Sequence, residues 1–207
     1  MRIIYSRRFV MKRYYGILQD DRNSVVQIKP NRHYNEVENF IRTSSSERLP
    51  DDVVFDVIKG EKWMDIICYF EAASEYFFSR RFIDILSAQG INMASHCYPI
   101  KINGYDNIDY YVMNNFKKYE NINPDNIFDD IEEPLYFHIP NNDSCISGIF
   151  SVQGTNMRII SEETMLVLRK NRVTNVRFME TYALSSAECA EWKKLHAQHK
   201  AMLPNIG

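Results

Sequence analysis

The stretch Tyr76–Ile102, YFFSRRFIDILSAQGINMASHCYPIKI, predicts one unit of helix, turn and strand around which the fold is organised. Ser79 can cap the helix, because its hydroxyl can accept a hydrogen bond from an N–H group that the first turn leaves unpaired. Gly90 follows the last helical turn, where a residue of left-handed conformation commonly ends a helix. The alternation from Tyr98 to Ile102 predicts a half-buried strand. An apolar stripe at helical spacing completes the helix: Phe82, Ile83, Ile85 and Leu86.

A second stretch, Arg158–Glu180, repeats this pattern as RIISEETMLVLRKNRVTNVRFME. When the two stretches are aligned, Ser161 falls on the position of Ser79. Arg172 falls on that of Gly90. The sequence therefore predicts two similar helix-turn-strand units, an internal echo within one chain.

The length of 207 residues suits one large domain or two small ones. A hydrophobic content of 45% with 25% charged residues is typical of a globular protein with its own core. We predict a single domain over residues 1–207, in which residues 1–50 can form an N-terminal extension of a core at 51–207. The fold class that we predict is α+β, with a mixed or antiparallel sheet and several helices.

The cysteines indicate the compartment. They are widely spread and contain no CxxC pair, which is typical of free thiols in a reducing environment rather than of a disulfide framework. No apolar run is long enough for a signal sequence or for a membrane span. We therefore expect a cytoplasmic protein that does not enter a membrane. The four cysteines are Cys68, Cys97, Cys145 and Cys189.

Charge is distributed unevenly along the chain, although the net charge is only −2. Residues 1–50 contain ten Lys or Arg against five Asp or Glu, whereas residues 51–207 contain fifteen against twenty-two. The segment from Gly104 to Asp143 contains nine acids against Lys117 and Lys118 alone. This pattern argues against a nucleic-acid partner for the whole chain and predicts a local acidic face.

Motifs that carry chemistry are few. The sequence has no glycine-rich phosphate loop, GxSxG elbow, HExxH motif or calcium loop. His196 and His199 are three residues apart on a predicted helix, but no third metal ligand is adjacent. His96 and Cys97 are neighbours on an extended chain, so their side chains point to opposite faces and are not a nucleophile with its base. We predict no catalytic residue, no metal site and no cofactor.

Two further segments of the sequence can each be interpreted in more than one way. The basic and aromatic run from Arg7 to Tyr15 could stack on bases and pair with phosphates, although a strand with a solvated basic side is favoured. The carboxylates of the acidic segment could be a catalytic pair, a solvated face or a surface for a cationic partner. The carboxylates concerned are Asp129, Asp130, Glu132 and Glu133.

Residues 53–180 also contain an ordered set of motifs. In chain order these are the strand Val53–Ile58, Asp65, FFSRRFIDIL, Gly90–Ile91, Tyr98–Pro99–Ile100, Tyr110–Tyr111 with Asn114–Asn115, Ile149–Phe150, and RIISEETMLVLRKNRVTNVRFME. The set resembles a family of bacterial immunity proteins, the cytoplasmic partners of polymorphic toxins delivered between cells by contact-dependent or type VI secretion. The resemblance implies a protein that is not an enzyme and that neutralises its cognate toxin by direct contact. A small-ligand or nucleic-acid binding module without catalytic activity is the alternative.

The resemblance and the charge pattern together predict where the partner binds. Many intracellular toxins are basic, so an acidic face on the inhibitor would speed and orient docking. Tyrosines among acids are suitable anchors, because they bury a large area and keep a hydroxyl for the partner. The predicted partner-binding residues are Tyr110, Tyr111, Tyr119, Asp125, Asp129, Asp130, Glu132 and Glu133.

Overall fold

A computed structural model describes residues 12–20, 24–32, 37, 52–69, 72–114, 116–122, 135–140, 148–155 and 157–202. Strands account for 46% and helices for 23% of the structure, which contains two barrel-like sheets. The predicted α+β class, with a mixed or antiparallel sheet and several helices, is therefore wrong: the fold is rich in β-barrel structure. Several strands are buried on both faces and so lack the alternating pattern by which a strand is recognised. Ile66–Tyr69, for example, is a strand buried at all four positions.

The elements named for the first half of the described chain are mainly strands, together with one eight-residue helix. They are β1 (Lys12–Gln19), β2 (Gln27–Pro30), β3 (Val54–Lys59), β4 (Ile66–Tyr69), β5 (Ala72–Ser79), α1 (Arg80–Ser87), a 3-10 turn (Met93–Ser95), β6 (Cys97–Pro99) and β7 (Lys101–Ile102). The second half continues with β8 (Tyr110–Met113), β9 (Lys118–Asn121), β10 (Leu135–His138), β11 (Ile149–Val152), β12 (Arg158–Ser161), α2 (Glu162–Lys170), β13 (Val176–Leu184) and α3 (Ser186–Met202). Among the described residues, no helix is both long and apolar enough to cross a membrane.

Six strands close into a barrel in the order β1-β12-β11-β9-β10-β13. The barrel interior is filled by aromatic side chains, among them Tyr14, Phe137 and Phe150. The rings of Tyr14 and Phe150 meet edge to face, with centroids 5.4 Å apart, a geometry that aromatic pairs favour. The interior of this small barrel is thus a packed core rather than a cavity.

Seven strands form the second sheet in the order β6-β8-β5-β4-β2-β3-β7. Its two end strands, β6 and β7, are separated in the chain by Ile100 alone, so the sheet curls back on itself. Phe55 and Phe77 pack within it, with ring centroids 5.1 Å apart. β1 is one of the strands of the barrel, and β2 is one of the strands of this sheet. The first two described strands of the chain therefore belong to different sheets.

Each sheet contains the same β-α-β arrangement. β5 and β6 both pair antiparallel with β8, and α1 connects them. β12 and β13 both pair antiparallel with β1, and α2 connects them. In both cases two parallel strands therefore flank a third strand that runs the other way.

The two predicted units share their local geometry within this arrangement. The hydroxyl of Ser79 accepts a hydrogen bond from the amide of Phe82 at 3.2 Å. The hydroxyl of Ser161 accepts one from the amide of Thr164, also at 3.2 Å. Both helices therefore begin with the same serine cap. After the helices, Gly90 has a φ of 77° and Arg172 a φ of 52°, so both turns use a left-handed residue.

The cap serines also face equivalent tyrosines. Ser79 is paired with Tyr110 across β5 and β8. Ser161 is paired with Tyr14 across β12 and β1. Both tyrosines point into the interior of their own sheet.

The helices and the outward faces of these strands meet in a shared core. This core combines apolar residues of both units, so the two sheets are packed together rather than linked as separate bodies. Its fully buried members include Ile17, Phe82, Leu86, Met113, Ile160 and Leu168.

Candidate functional site

The carboxylate of Asp65 is a buried polar centre within residues 53–180, the stretch from which the sequence predicts the immunity family. It accepts hydrogen bonds from the hydroxyl of Ser79 at 2.9 Å and from the guanidinium of Arg81 at 2.6 Å. It also accepts from the amide of Thr174 at 2.8 Å and from its hydroxyl at 2.9 Å. Asp65 is only 5% exposed, and a buried carboxylate is tolerated when it is paired and fully hydrogen-bonded.

This centre joins the two units. Asp65 precedes β4, Ser79 caps α1, and Thr174 lies in the turn between α2 and β13. Arg81 also donates to the backbone carbonyl of Asn171 at the end of α2. The negative charge pairs with Arg81 in the first turn of α1, where the helix dipole disfavours cations. Asp65 and Ser79, both residues of the resemblance, therefore act here in the scaffold.

The three predicted tyrosine anchors lie in different environments. Tyr110 is 3% exposed and donates its hydroxyl hydrogen bond to the carbonyl of Met64; burial, with a smaller contribution from Asp65, raises its pKa. Tyr119 is 5% exposed inside the barrel. Tyr111 is half-buried and accepts a hydrogen bond from the guanidinium of Arg80 at 2.7 Å.

The described structure therefore assigns Tyr110 and Tyr119 to core packing. The five predicted acidic residues lie outside the described residues, and their role in binding stays a prediction. They are Asp125, Asp129, Asp130, Glu132 and Glu133.

The neighbouring His96 and Cys97 do not form a reactive pair. Nδ1 of His96 lies 3.2 Å from the carbonyl oxygen of Asn114, and the imidazole stacks on Phe116 with ring centres 4.7 Å apart. Burial raises the pKa of the Cys97 thiol to about 12, so the thiol stays protonated near neutral pH. The described residues contain no group of three or more His, Cys, Asp or Glu that could hold a metal ion. The side chains of His196 and His199 are outside the described set.

An open cleft of about 750 Å³ lies between the turn after α1 and the first turn of α2. Its basic side chains, Lys12 and Arg13, are balanced by Glu162 and Glu163. The guanidinium of Arg13 lies 3.1 Å from the carboxylate of Glu162. The cleft therefore lacks the net positive charge that a phosphate or a nucleic acid would require.

A partly exposed aromatic pair that the sequence did not reveal lies beside the core of the second sheet. Tyr105 is 38% exposed, and its ring centre lies 4.8 Å from that of Trp63. Trp63 is half-buried and also contacts Tyr110, with ring centres 5.6 Å apart. The exposed ring is thus supported from below by an aromatic side chain that packs on the core.

The loop that carries Tyr105 is held by several hydrogen bonds. The amide of Tyr105 donates to the carbonyl of Ile102 at 3.1 Å, and the amide of Ile108 donates to the carbonyl of Tyr105 at 3.2 Å. The side-chain amide of Asn103 donates to the carboxylate of Asp56 at 3.1 Å. Gly104 supplies the positive φ of 77° that the first turn requires. A tyrosine inside the turn-forming run INGYDNID was the available sequence signal, because turns lie on the surface.

Comparison with known proteins adds no relative: no family model matches the chain, and no curated protein matches it either. The immunity resemblance therefore rests on its own motifs.

Proposed function

We propose that this chain is an immunity protein that binds a cognate antibacterial toxin in the cytoplasm and neutralises it by direct protein–protein contact, without catalysis of its own. The ordered motifs over residues 53–180 support this proposal through their resemblance to such a family. The observation that carries it is a pair of large apolar side chains exposed on the second sheet and on the loop that follows its strand β7. These are Ile58, 44% exposed, and Tyr105, 38% exposed.

Such side chains are the usual anchors of protein interfaces, where a few buried aromatic or aliphatic groups provide most of the binding free energy. The motif residues around Asp65, in contrast, are engaged in the scaffold. Scaffold residues and exposed apolar side chains are thus different sets of residues. This separation supports a binding function, because one scaffold can present different recognition surfaces.

The alternative is a small-ligand or nucleic-acid binding module. The cleft of about 750 Å³ has the size of a ligand site. Its balanced charges do not favour an anionic ligand. Retention on heparin separates the two proposals, because a nucleic-acid binder is retained and elutes only with added salt.

Co-expression with the neighbouring reading frame tests the proposal directly. The product of that frame should arrest growth when it is expressed alone, and this chain should restore growth. A negative control is the same chain with Asp65→Ala, which removes the central carboxylate; its lower stability should reduce the amount of folded protein and therefore the protection. Growth arrest that persists in the presence of abundant folded wild-type protein would contradict the proposal.

A further inference from the structure

The ring of Tyr105 is positioned to be covered by a partner. More than a third of Tyr105 is exposed, and Trp63 supports it at a ring-centre distance of 4.8 Å. Trp63 packs in turn on the core of the second sheet. A partner side chain could therefore cover the exposed part of the Tyr105 ring without disturbing the contact between this ring and Trp63.

The loop geometry lowers the entropic cost of binding. The amide of Asn103 donates to the carbonyl of Phe55 at 2.9 Å, and its side chain donates to Asp56. Together with the two turn hydrogen bonds of Tyr105, these contacts fix the loop against β3. A side chain that is already ordered loses little conformational freedom when it binds.

Three exposed acids lie on segments next to this ring in the fold or the chain: Asp56 on β3, and Asp106 and Asp109 in the loop of Tyr105. Exposed lysines lie on the same segments, among them Lys62 beside Trp63 and Lys101 on β7. Asp109 contributes to the raised pKa of the Arg80 guanidinium, whose main cause is the hydrogen bond to Tyr111. The carboxylate of Asp106 makes no hydrogen bond or ion pair with any described residue. The carboxylate of Asp106 is therefore available to a cationic group of a partner.

The chain itself shows which chemistry fits such a site. The guanidinium carbon of Arg80 lies 5.8 Å from the ring centre of Tyr111, while the guanidinium also pairs with the carboxylate of Asp84 at 3.1 Å. An aromatic face beside a carboxylate is thus already used within this fold to hold an arginine.

We infer that Trp63, Tyr105, Asp106 and Asp109, here called the aromatic–acidic surface, dock a cationic face of the toxin. An arginine or lysine of the toxin lies over the ring of Tyr105 and pairs with Asp106. The inference rests on the proposed function and names the surface and the partner chemistry for it. Leu166 on α2 is the competing anchor, but Glu162, Glu163 and Lys170 surround it with mixed charge.

The test is titration calorimetry of this chain with the purified toxin domain from the neighbouring reading frame. Tyr105→Ala and Asp106→Lys should each raise the dissociation constant at least tenfold. Tyr105→Phe keeps the ring and should stay within about threefold of wild type, because a cation–π contact does not need the hydroxyl. Leu166→Ala removes a more exposed apolar group elsewhere and should bind like wild type. Melting temperatures of all variants establish that they fold, and Asp106→Lys alters a side chain that has no hydrogen-bond or ion-pair partner among the described residues.

The outcomes separate the inference from the function on which it rests. If the wild-type chain does not bind the toxin domain, the proposed function is overturned and the inference with it. If wild type binds and both Tyr105→Ala and Asp106→Lys bind within twofold of it, the inference alone is overturned. A loss of binding in Leu166→Ala, with the other variants unaffected, moves the interface to α2 and also overturns it.

Discussion

The guanidinium of Arg81 donates to the carboxylate of Asp65 across 2.6 Å and thereby joins the first turn of α1 to the start of β4. The two partners differ in exposure: the side chain of Arg81 is 51% exposed, and that of Asp65 is 6% exposed. The buried carboxylate is therefore the half of the pair whose loss matters most.

Asp65→Ala should lower the free energy of unfolding by roughly 3 kcal/mol, because it leaves buried donors without an acceptor. Urea denaturation measures this change. Asp84→Ala is the matched control, since Asp84 pairs with Arg80 at the surface, where both side chains are at least 60% exposed. It should cost less than about 0.5 kcal/mol. Equal losses in the two variants would show that the Asp65 centre does not join the units.

The two serine caps make a second comparison. Ser161→Ala should cost about 1 kcal/mol, the usual value for a lost N-cap. Ser79→Ala should cost more, because the hydroxyl of Ser79 also donates to Asp65 at 2.9 Å. Denaturant midpoints of the two variants decide the order. A larger loss for Ser161→Ala would contradict the role of Ser79 in the shared centre.

The left-handed turns predict substitutions of opposite effect. Arg172 has a φ of 52°, which is strained for a residue with a Cβ. Arg172→Gly should raise the free energy of unfolding by roughly 0.5–1 kcal/mol. Gly90→Ala should lower it by about 1 kcal/mol, although no atom lies within 4 Å of the added Cβ, because the backbone conformation alone is disfavoured. Thermal unfolding of both variants checks the signs, and a destabilised Arg172→Gly would contradict the argument.

Burial of Cys97 predicts a dependence of stability on alkaline pH. Its pKa is raised from 9.0 to about 12 by burial, so the unfolded chain loses this proton at a lower pH than the folded chain. The stability linked to this thiol is fully present below about pH 9 and is lost as the pH rises toward 12. Wild type should therefore lose more stability than Cys97→Ala between pH 8 and about 10.5, measured by denaturation at each pH. Parallel curves for the two proteins would show that the thiol is not desolvated.

Association with the toxin domain should depend on salt if the aromatic–acidic surface is the interface. The association rate of wild type should fall as ionic strength rises, since screening weakens attraction between opposite charges. Asp106→Asn should associate more slowly at low salt and show a smaller salt dependence. Surface plasmon resonance at several salt concentrations measures both slopes. If the association rates of wild type and Asp106→Asn depend equally on salt, Asp106 does not contribute to the electrostatic attraction of the partner.

Local features were predictable from the sequence, and closure of the sheets was not. The pattern Ser185–Ser186–Ala187–Glu188 predicts a capping box at the start of α3. The structure confirms it: the amide of Ser185 donates to the carboxylate of Glu188 at 2.8 Å, and the amide of Glu188 donates to the hydroxyl of Ser185 at 3.3 Å. Both partners are three residues apart, so the pattern is visible in a short window. The barrel instead pairs β1 with strands from the other end of the chain, and no local pattern records such a pairing.

The candidate surface shows the same limit. Tyr110 and Tyr119 were predicted as anchors because tyrosine suits interfaces, yet the same amphipathic side chain also suits a core. Trp63 and Tyr105 are far apart in the chain and meet only because β7 pairs with β3. Their contact depends on tertiary structure, and the turn sequence around Tyr105 indicated exposure without indicating a partner ring.

The curled second sheet also restricts how a partner can be recognised. Of the strands that the structure describes, its two terminal ones are β6, three residues long, and β7, two residues long. Edge strands this short offer too few backbone groups for a peptide of the partner to add as a further strand. In strand addition, main-chain hydrogen bonds provide the affinity. Recognition at this sheet must then be read out by side chains, so a partner can diverge in backbone conformation as long as it presents the complementary charges.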